Sequence, residues 1–211
     1  MKPLSRLAIV ALLFAPLARP AHAQVNGDHS YRWYWGGQAG GFLYRTNAQQ
    51  YAFDPIIGVH WMITKQRGAL YIGGEEAFFT SDATANVVDP FTGTSYTVAF
   101  SKVRRLFAGL VAYPLPGHIE PFFGGGLAIN TVVDPRPNSP AGQFAADDAG
   151  SKANAWFLGG LQINVGRLAV YGQYLVSSSA NNFLLTQEQH TIQGGVRYAL
   201  GNSKESVETS H

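Results

Sequence analysis

The sequence predicts an all-β fold, an eight-stranded antiparallel up-and-down transmembrane β-barrel. Three observations carry this. The stretch 187–200 alternates: Gln187, Gln189, Thr191, Gln193, Gly195 and Arg197 share one face, and Ile192, Gly194, Val196, Tyr198 and Leu200 share the other. Period two is a strand signal, and one wet face with one oily face suits a wall between lipid and a polar interior. The composition agrees, because 24 glycines, 13% aromatic and only 13% charged residues are unusual for a soluble globular chain. Finally, short and long connections alternate along the chain, as in a barrel with tight turns at one rim and longer loops at the other.

Residues 1–23 read as a secretory signal peptide. Lys2 and Arg6 form a basic start, residues 7–17 an apolar run, and Ala21-His22-Ala23 a small-x-small cleavage site. The run is shorter than the ~20 residues of a membrane-spanning helix. Pro16 and Pro20 would break a buried helix there. Cleavage leaves Gln24 first. It also removes three of the 15 basic residues, leaving 12 against 13 acidic ones. This near-neutral balance has no basic patch pointing to nucleic acid. The lack of cysteine excludes disulfides and thiolate metal sites. No apolar run of helix-spanning length follows residue 23, so an exported chain of this kind either stays soluble or crosses a membrane as a closed barrel. The expected division is signal 1–23, barrel 24–200 and a short polar tail 201–211.

The first strand is expected over 34–45, where the pairs Gly36-Gly37 and Gly40-Gly41 suit sharp coiling in a narrow barrel. The second, 55–64, puts Ile57, Val59, Trp61 and Ile63 opposite Gly58, His60, Met62 and Thr64. A polar turn at 64–68 leads to the third strand, 69–80. A looser stretch, 81–94, follows, with Asp89-Pro90 and Gly93 as turn residues. The fourth strand, 95–113, aligns Leu106, Ala108, Leu110 and Ala112. After the turn 114–117 comes the fifth, 118–131, then a long loop, 132–151. The sixth strand, 153–165, meets the seventh, 168–176, through Gly166-Arg167, a two-residue turn signal. A polar loop, 177–184, precedes the eighth strand, 187–200. Connections after strands two, four and six are short, those after three and five long, and those after one and seven intermediate. With the chain entering from the periplasm, this puts the short turns on the periplasmic side.

At 193–200 the chain resembles the assembly signal of outer-membrane barrels, polar-x-Gly-x-x-apolar-x-apolar, with Gln193, Gly195, Tyr198 and Leu200 in the four places. The turn Tyr113-Pro-Leu-Pro-Gly117 followed by Ile119-Glu-Pro-Phe-Phe-Gly-Gly-Gly126 resembles the middle of the small outer-membrane barrels, the OmpA-transmembrane-domain and OmpX-like proteins. The resemblance runs from about Trp33 to Leu200. It implies an outer-membrane location, with outer-membrane lipid and the barrel assembly machinery as partners and no cofactor. It implies a structural or surface-interaction role rather than catalysis. Leu200 stands where the signal often has Phe, and the tail after it is far too short for a peptidoglycan-binding domain.

With the oily faces turned to lipid, the lumen receives Gln38, His60, Glu75, Arg105, Glu120, Gln162, Asn164, Tyr171, Gln173, Gln193 and Arg197. Unpaired buried charge is costly, so Glu75, Glu120, Arg105 and Arg197 are expected to pair into a structural plug. Lys102 and Arg104 fall on the oily side of strand four, ~9–11 residues above the turn at Tyr113, where they would touch anionic lipid head groups. The alternative is a bulge that turns them into the lumen or solvent. Glu76 raises the same question of face. Trp33, Trp35, Trp61, Tyr113, Trp156, Tyr174 and Tyr198 are candidates for interfacial girdles. The loops 81–94 and 132–151 are candidate contact surfaces.

Two other classes remain open. A lipid-A-modifying enzyme would need a Ser-His-acid cluster at the rim. Ser177, Ser178 and Ser179 with His190 and Glu188 are the nearest residues to one, against the simpler reading of a serine-rich loop edge. A soluble lipocalin-like barrel would need the faces reversed. The histidines show no metal-ligand spacing, and Asp147-Asp148 lacks the alternating acidic loop of a calcium site.

Overall fold

The alternating segments form strands because each can bury one face while its backbone pairs on both sides, and closure leaves no edge unpaired. The structure, a computed structural model, describes residues 30–115, 117–178, 180 and 182–204. Eight barrel strands follow one another: β1 (Ser30–Arg45), β2 (Ala52–Lys65), β3 (Gly68–Val88), β4 (Ser95–Ala112), β5 (Ile119–Val133), β6 (Ser151–Val165), β7 (Leu168–Ser177) and β8 (Thr186–Lys204). Each pairs antiparallel with the next, and β8 pairs with β1 to close the wall. The up-and-down barrel read from the alternation is therefore the fold. The last strand continues past the expected boundary at 200, with Lys204 opposite Ser30. The expected signal 1–23 and most of the expected tail lie outside the described residues.

At one rim the connections are tight. Residues 66–67 and 166–167 are two-residue turns, with φ of 54° at Gln66 and 63° at Gly166. No atom lies within 4 Å of a Cβ added to Gly166, so only backbone strain opposes a side chain there. Gly166→Ala is expected to cost about 1 kcal/mol, read as a lower urea midpoint for the folded barrel.

The opposite rim departs from expectation. The stretch after the third expected strand is not a loose loop. β3 and β4 run on as a projecting hairpin, with Ala83–Val88 paired to Ser95–Phe100 past a register shift. Hydrophobic Ala83, Ala85, Val87, Val98 and Phe100 are buried, which makes the extension worth forming. Its free edge is covered by the loop after β1: Asn47 Nδ2 donates to Asn86 O, and Asn86 N donates to Asn47 Oδ1, both at 2.7 Å. At the tip the Phe91 N–H donates to Asp89 Oδ1 at 2.8 Å and holds that exposed carboxyl below its usual range.

The connection 134–150 is not a plain loop either. Its Arg136–Pro137 pair adds to β4, and a short helix, α1 (Gln143–Ala149), buries Ala145, Ala146 and Ala149. The loop expected to be polar at 177–184 supplies Phe183 and Leu184, which, with Leu185, join the same apolar cluster as Phe42, Tyr44, Val98, Phe100 and α1. This cluster fills the end of the lumen opposite the tight-turn rim.

The wall faces follow the alternation. Ile57, Val59, Leu106, Leu110, Phe123, Leu127, Phe157, Leu161, Val170 and Ile192 are all more than half exposed and girdle the outside. Gln38, His60, Glu75, Arg105, Gln162, Gln173, Gln193 and Arg197 are buried in the lumen. A lipocalin-like barrel has the reverse arrangement. The lumen is nevertheless less polar than expected. Tyr71, Phe107, Phe122, Trp156 and Tyr171 form an aromatic cluster inside it. Two expected girdle residues belong there: Trp156 is fully buried and donates Nε1–H to Leu127 O at 3.0 Å, and Tyr113 is buried facing Arg197. Trp33, Trp35, Tyr174 and Tyr198 are exposed on the outer surface.

Candidate functional site

The antiparallel register sets Glu75 of β3 directly opposite Arg105 of β4. Arg105 Nε donates to Glu75 Oε2 at 2.8 Å, and Nη2 reaches the same oxygen. The other carboxylate oxygen accepts from Gln38 Nε2 and, at 2.6 Å, from Gln193 Nε2. Arg105 also donates to Thr191 Oγ1 at 3.0 Å and Ser177 Oγ at 3.3 Å. Tyr71 and Tyr171 both donate their hydroxyls to Gln38 Oε1, at 3.0 and 2.8 Å. Every oxygen of Glu75 is thereby engaged, which is what makes an ion pair tolerable in a closed interior.

Arg197 sits one layer nearer the tight-turn rim and makes no ion pair with Glu120. Its Nη1 donates to Gln162 Oε1 at 2.8 Å, and Gln162 Nε2 donates onward to Glu120 Oε2 at 2.8 Å. The four residues expected to pair thus form one direct pair and one amide-bridged pair. Arg197 Nε donates to His60 Nε2 at 3.1 Å, which places the ring proton on Nδ1, facing the Tyr171 hydroxyl at 3.4 Å. The guanidinium lies 3.9 Å from the Tyr171 ring centroid and 5.0 Å from that of Phe122.

The undecided charges on β3 and β4 are all outside. Arg104 Nε and Nη2 donate to Glu76 Oε2 at 3.1 and 2.8 Å, and Lys102 Nζ lies 3.9 Å from Oε1. No bulge turns Lys102 or Arg104 inward. The irregularity lies above them, between Phe78 and Ala83.

The serine and histidine at the β7–β8 rim do not assemble. Ser177 is fully buried on the lumen side, whereas His190 pairs with Val176 and takes the Tyr174 hydroxyl at 2.6 Å on the outer surface. Ser178 Oγ accepts from Ala155 N at 3.2 Å, and Ser179 lies outside the described residues. Among the described residues no group of His, Asp and Glu has metal-holding geometry.

Of the assembly-signal residues, Gln193 is in the lumen network, while Tyr198 and Leu200 face outward. A Cβ at Gly195 would collide with the Tyr171 hydroxyl and the Gly37 carbonyl, so glycine is required there by close approach. The reading of the sequence missed Tyr71, Asn130 and Ser177 as lumen residues. All three share parity with residues placed inside, such as Glu75 on β3, so strict period-two counting finds them.

No protein-family model and no curated protein matches the sequence. Among solved structures, the chain is similar to the crystal structure of Neisserial surface protein A, at 10% identity and a TM-score of 0.57, over 79% of this chain and 96% of that one. It also aligns with the translocator domain of the autotransporter NalP from Neisseria meningitidis, at 8% identity over 92% of this chain and 97% of that one. The TM-score there is 0.26, too low to bear on the architecture. The first likeness establishes a shared fold, the eight-stranded antiparallel up-and-down barrel.

Proposed function

We propose that this protein is an integral outer-membrane barrel with a structural or surface-interaction role and a side-chain-plugged lumen, exported through a cleaved signal peptide. One observation carries the reading: a closed wall with a broad exposed apolar belt encloses a lumen whose middle and far end are filled by side chains. Apolar surface of that extent is unfavourable in water and favourable in lipid. The likeness to a Neisserial surface protein supports the same location.

In this reading the two-residue turns face the periplasm. The β3–β4 hairpin and α1 face outward, presenting Phe91 and Phe144, whose rings meet at 5.6 Å between centroids. The barrel assembly machinery recognises the last strand through Gln193, Gly195, Tyr198 and Leu200. Lys102 and Arg104 contact phosphate-bearing lipid head groups at the outer interface. The Lys102→Gln, Arg104→Gln variant is expected to co-purify with less lipid phosphate than the wild type, and an unchanged lipid content would remove this contact.

The deciding test compares unheated and boiled samples of the mature chain from the outer-membrane fraction. A heat-modifiable band there, no steady conductance in planar bilayers and no mass change in lipid A on expression are expected. A detergent-free soluble protein would overturn the membrane reading. An open conductance would overturn the plug, and a lipid A mass shift would replace the structural role with an enzymatic one.

A further inference from the structure

We propose that the tight-turn end of the lumen is a binding site for a small anionic solute carrying phosphate or carboxylate groups. A cavity of about 520 Å³ opens at that rim, inside the wall. Such a volume is within the ~300–1,000 Å³ range of small-molecule pockets. Three arginines line it from separate elements: Arg32 on β1, Arg67 in the β2–β3 turn and Arg167 in the β6–β7 turn. The single carboxylate in the lining is Glu120.

The backbones carrying two of these cations are clamped. Tyr113 N–H donates to Arg67 O and Ala199 N–H donates to Arg167 O, each at 2.8 Å. Behind the lining, Gln162 and Tyr113 hold the buried guanidinium of Arg197, whose partners are neutral groups and ring faces. Among the described residues none of these four arginines makes an ion pair. Four guanidiniums therefore stand against one carboxylate around a concave space with low-dielectric walls. That geometry focuses positive potential into the cavity. Arginine forks bind carboxylate and phosphate through paired hydrogen bonds.

The arrangement also constrains the ligand. The apolar cluster at the far end of the lumen makes the cavity blind, so the solute enters and leaves by the same mouth. Glu120, which already accepts from Gln162, repels a second anionic group and accepts from a hydroxyl or amine. The solute thus places its anionic groups near Arg67 and Arg167 and a hydrogen-bond donor near Glu120. The site stands on the lumen geometry alone. That the solute is periplasmic rests on the orientation proposed above.

The test uses the full chain folded in a non-ionic detergent, with pyrophosphate and citrate as probes at constant ionic strength. Saturable shifts of the backbone amides of Gln66, Arg67, Gly166 and Arg167 are expected, with none at Gly93 on the opposite rim. The Arg67→Gln, Arg167→Gln variant is expected to bind at least about tenfold more weakly, while Lys102→Gln, Arg104→Gln on the outer wall binds as the wild type does. Gel heat-modifiability of each variant verifies that its barrel is folded. Saturation by only one probe supports the site and assigns the anion class. No saturation up to about 10 mM of either probe, shifts reproduced by sodium chloride alone, or undiminished binding in Arg67→Gln, Arg167→Gln would each overturn the proposal. Membrane location does not enter this measurement, so its failure is separate from failure of the outer-membrane reading.

Discussion

Glu75→Ala is expected to destabilise the folded barrel by about 3–5 kcal/mol, because it strands the Arg105 guanidinium in a closed interior. Both side chains are almost fully buried, at 0% and 3% exposure. The loss reaches beyond the ion pair. Gln38 and Gln193 both donate to Glu75, so two amides lose their acceptor with it. The double variant Glu75→Met, Arg105→Met should lose less than the two single variants added together, since it removes both charges at once. Urea unfolding in lipid vesicles, with heat-modifiability as a check on folding, reads both. A cost of under about 1 kcal/mol for Glu75→Ala would mean that water screens the pair and that the lumen is not packed as described.

Trp156→Ala is expected to cost about 3–5 kcal/mol in the same assay. The indole is fully buried and lies near the rings of Tyr71 and Phe107 at centroid distances of 6.1 and 5.9 Å. Its Nε1–H satisfies the Leu127 carbonyl. No other side chain can collapse into that space without leaving its own contacts, so a cavity remains. Trp35→Ala is the control, because Trp35 is 54% exposed on the outer face and lipid replaces its contacts. Its cost should be clearly the smaller of the two. Equal costs for Trp156 and Trp35 would place both on the same surface, against the inward orientation of Trp156.

These two residues mark how far reading the chain reaches. Parity alone puts Glu75 in the lumen, and its partner Arg105 is on the facing strand at matched register. The same counting puts Glu120 and Arg197 inside, yet Gln162 stands between them. Aromatic character suits both an interfacial girdle and a packed lumen, so it does not by itself place Trp156 inside. Only its parity, shared with Asn154 and Leu158, separates the two. The tip of β3 looks like a loose loop in the sequence, since Ser81, Asp82 and Thr84 obscure the burial of Ala83, Ala85 and Val87 in the cluster of Val98, Phe100 and α1.

Strand number, the facing of most wall residues and the alternation of tight and long connections are legible in the chain. Side-chain direction in a strand repeats every two residues whatever the neighbours do. Which lumen charge meets which, how the end opposite the tight turns is filled and where an open polar cavity remains depend on register, barrel closure and the packing of segments far apart in sequence. These are properties of distances across the lumen, and no local period in the chain encodes them.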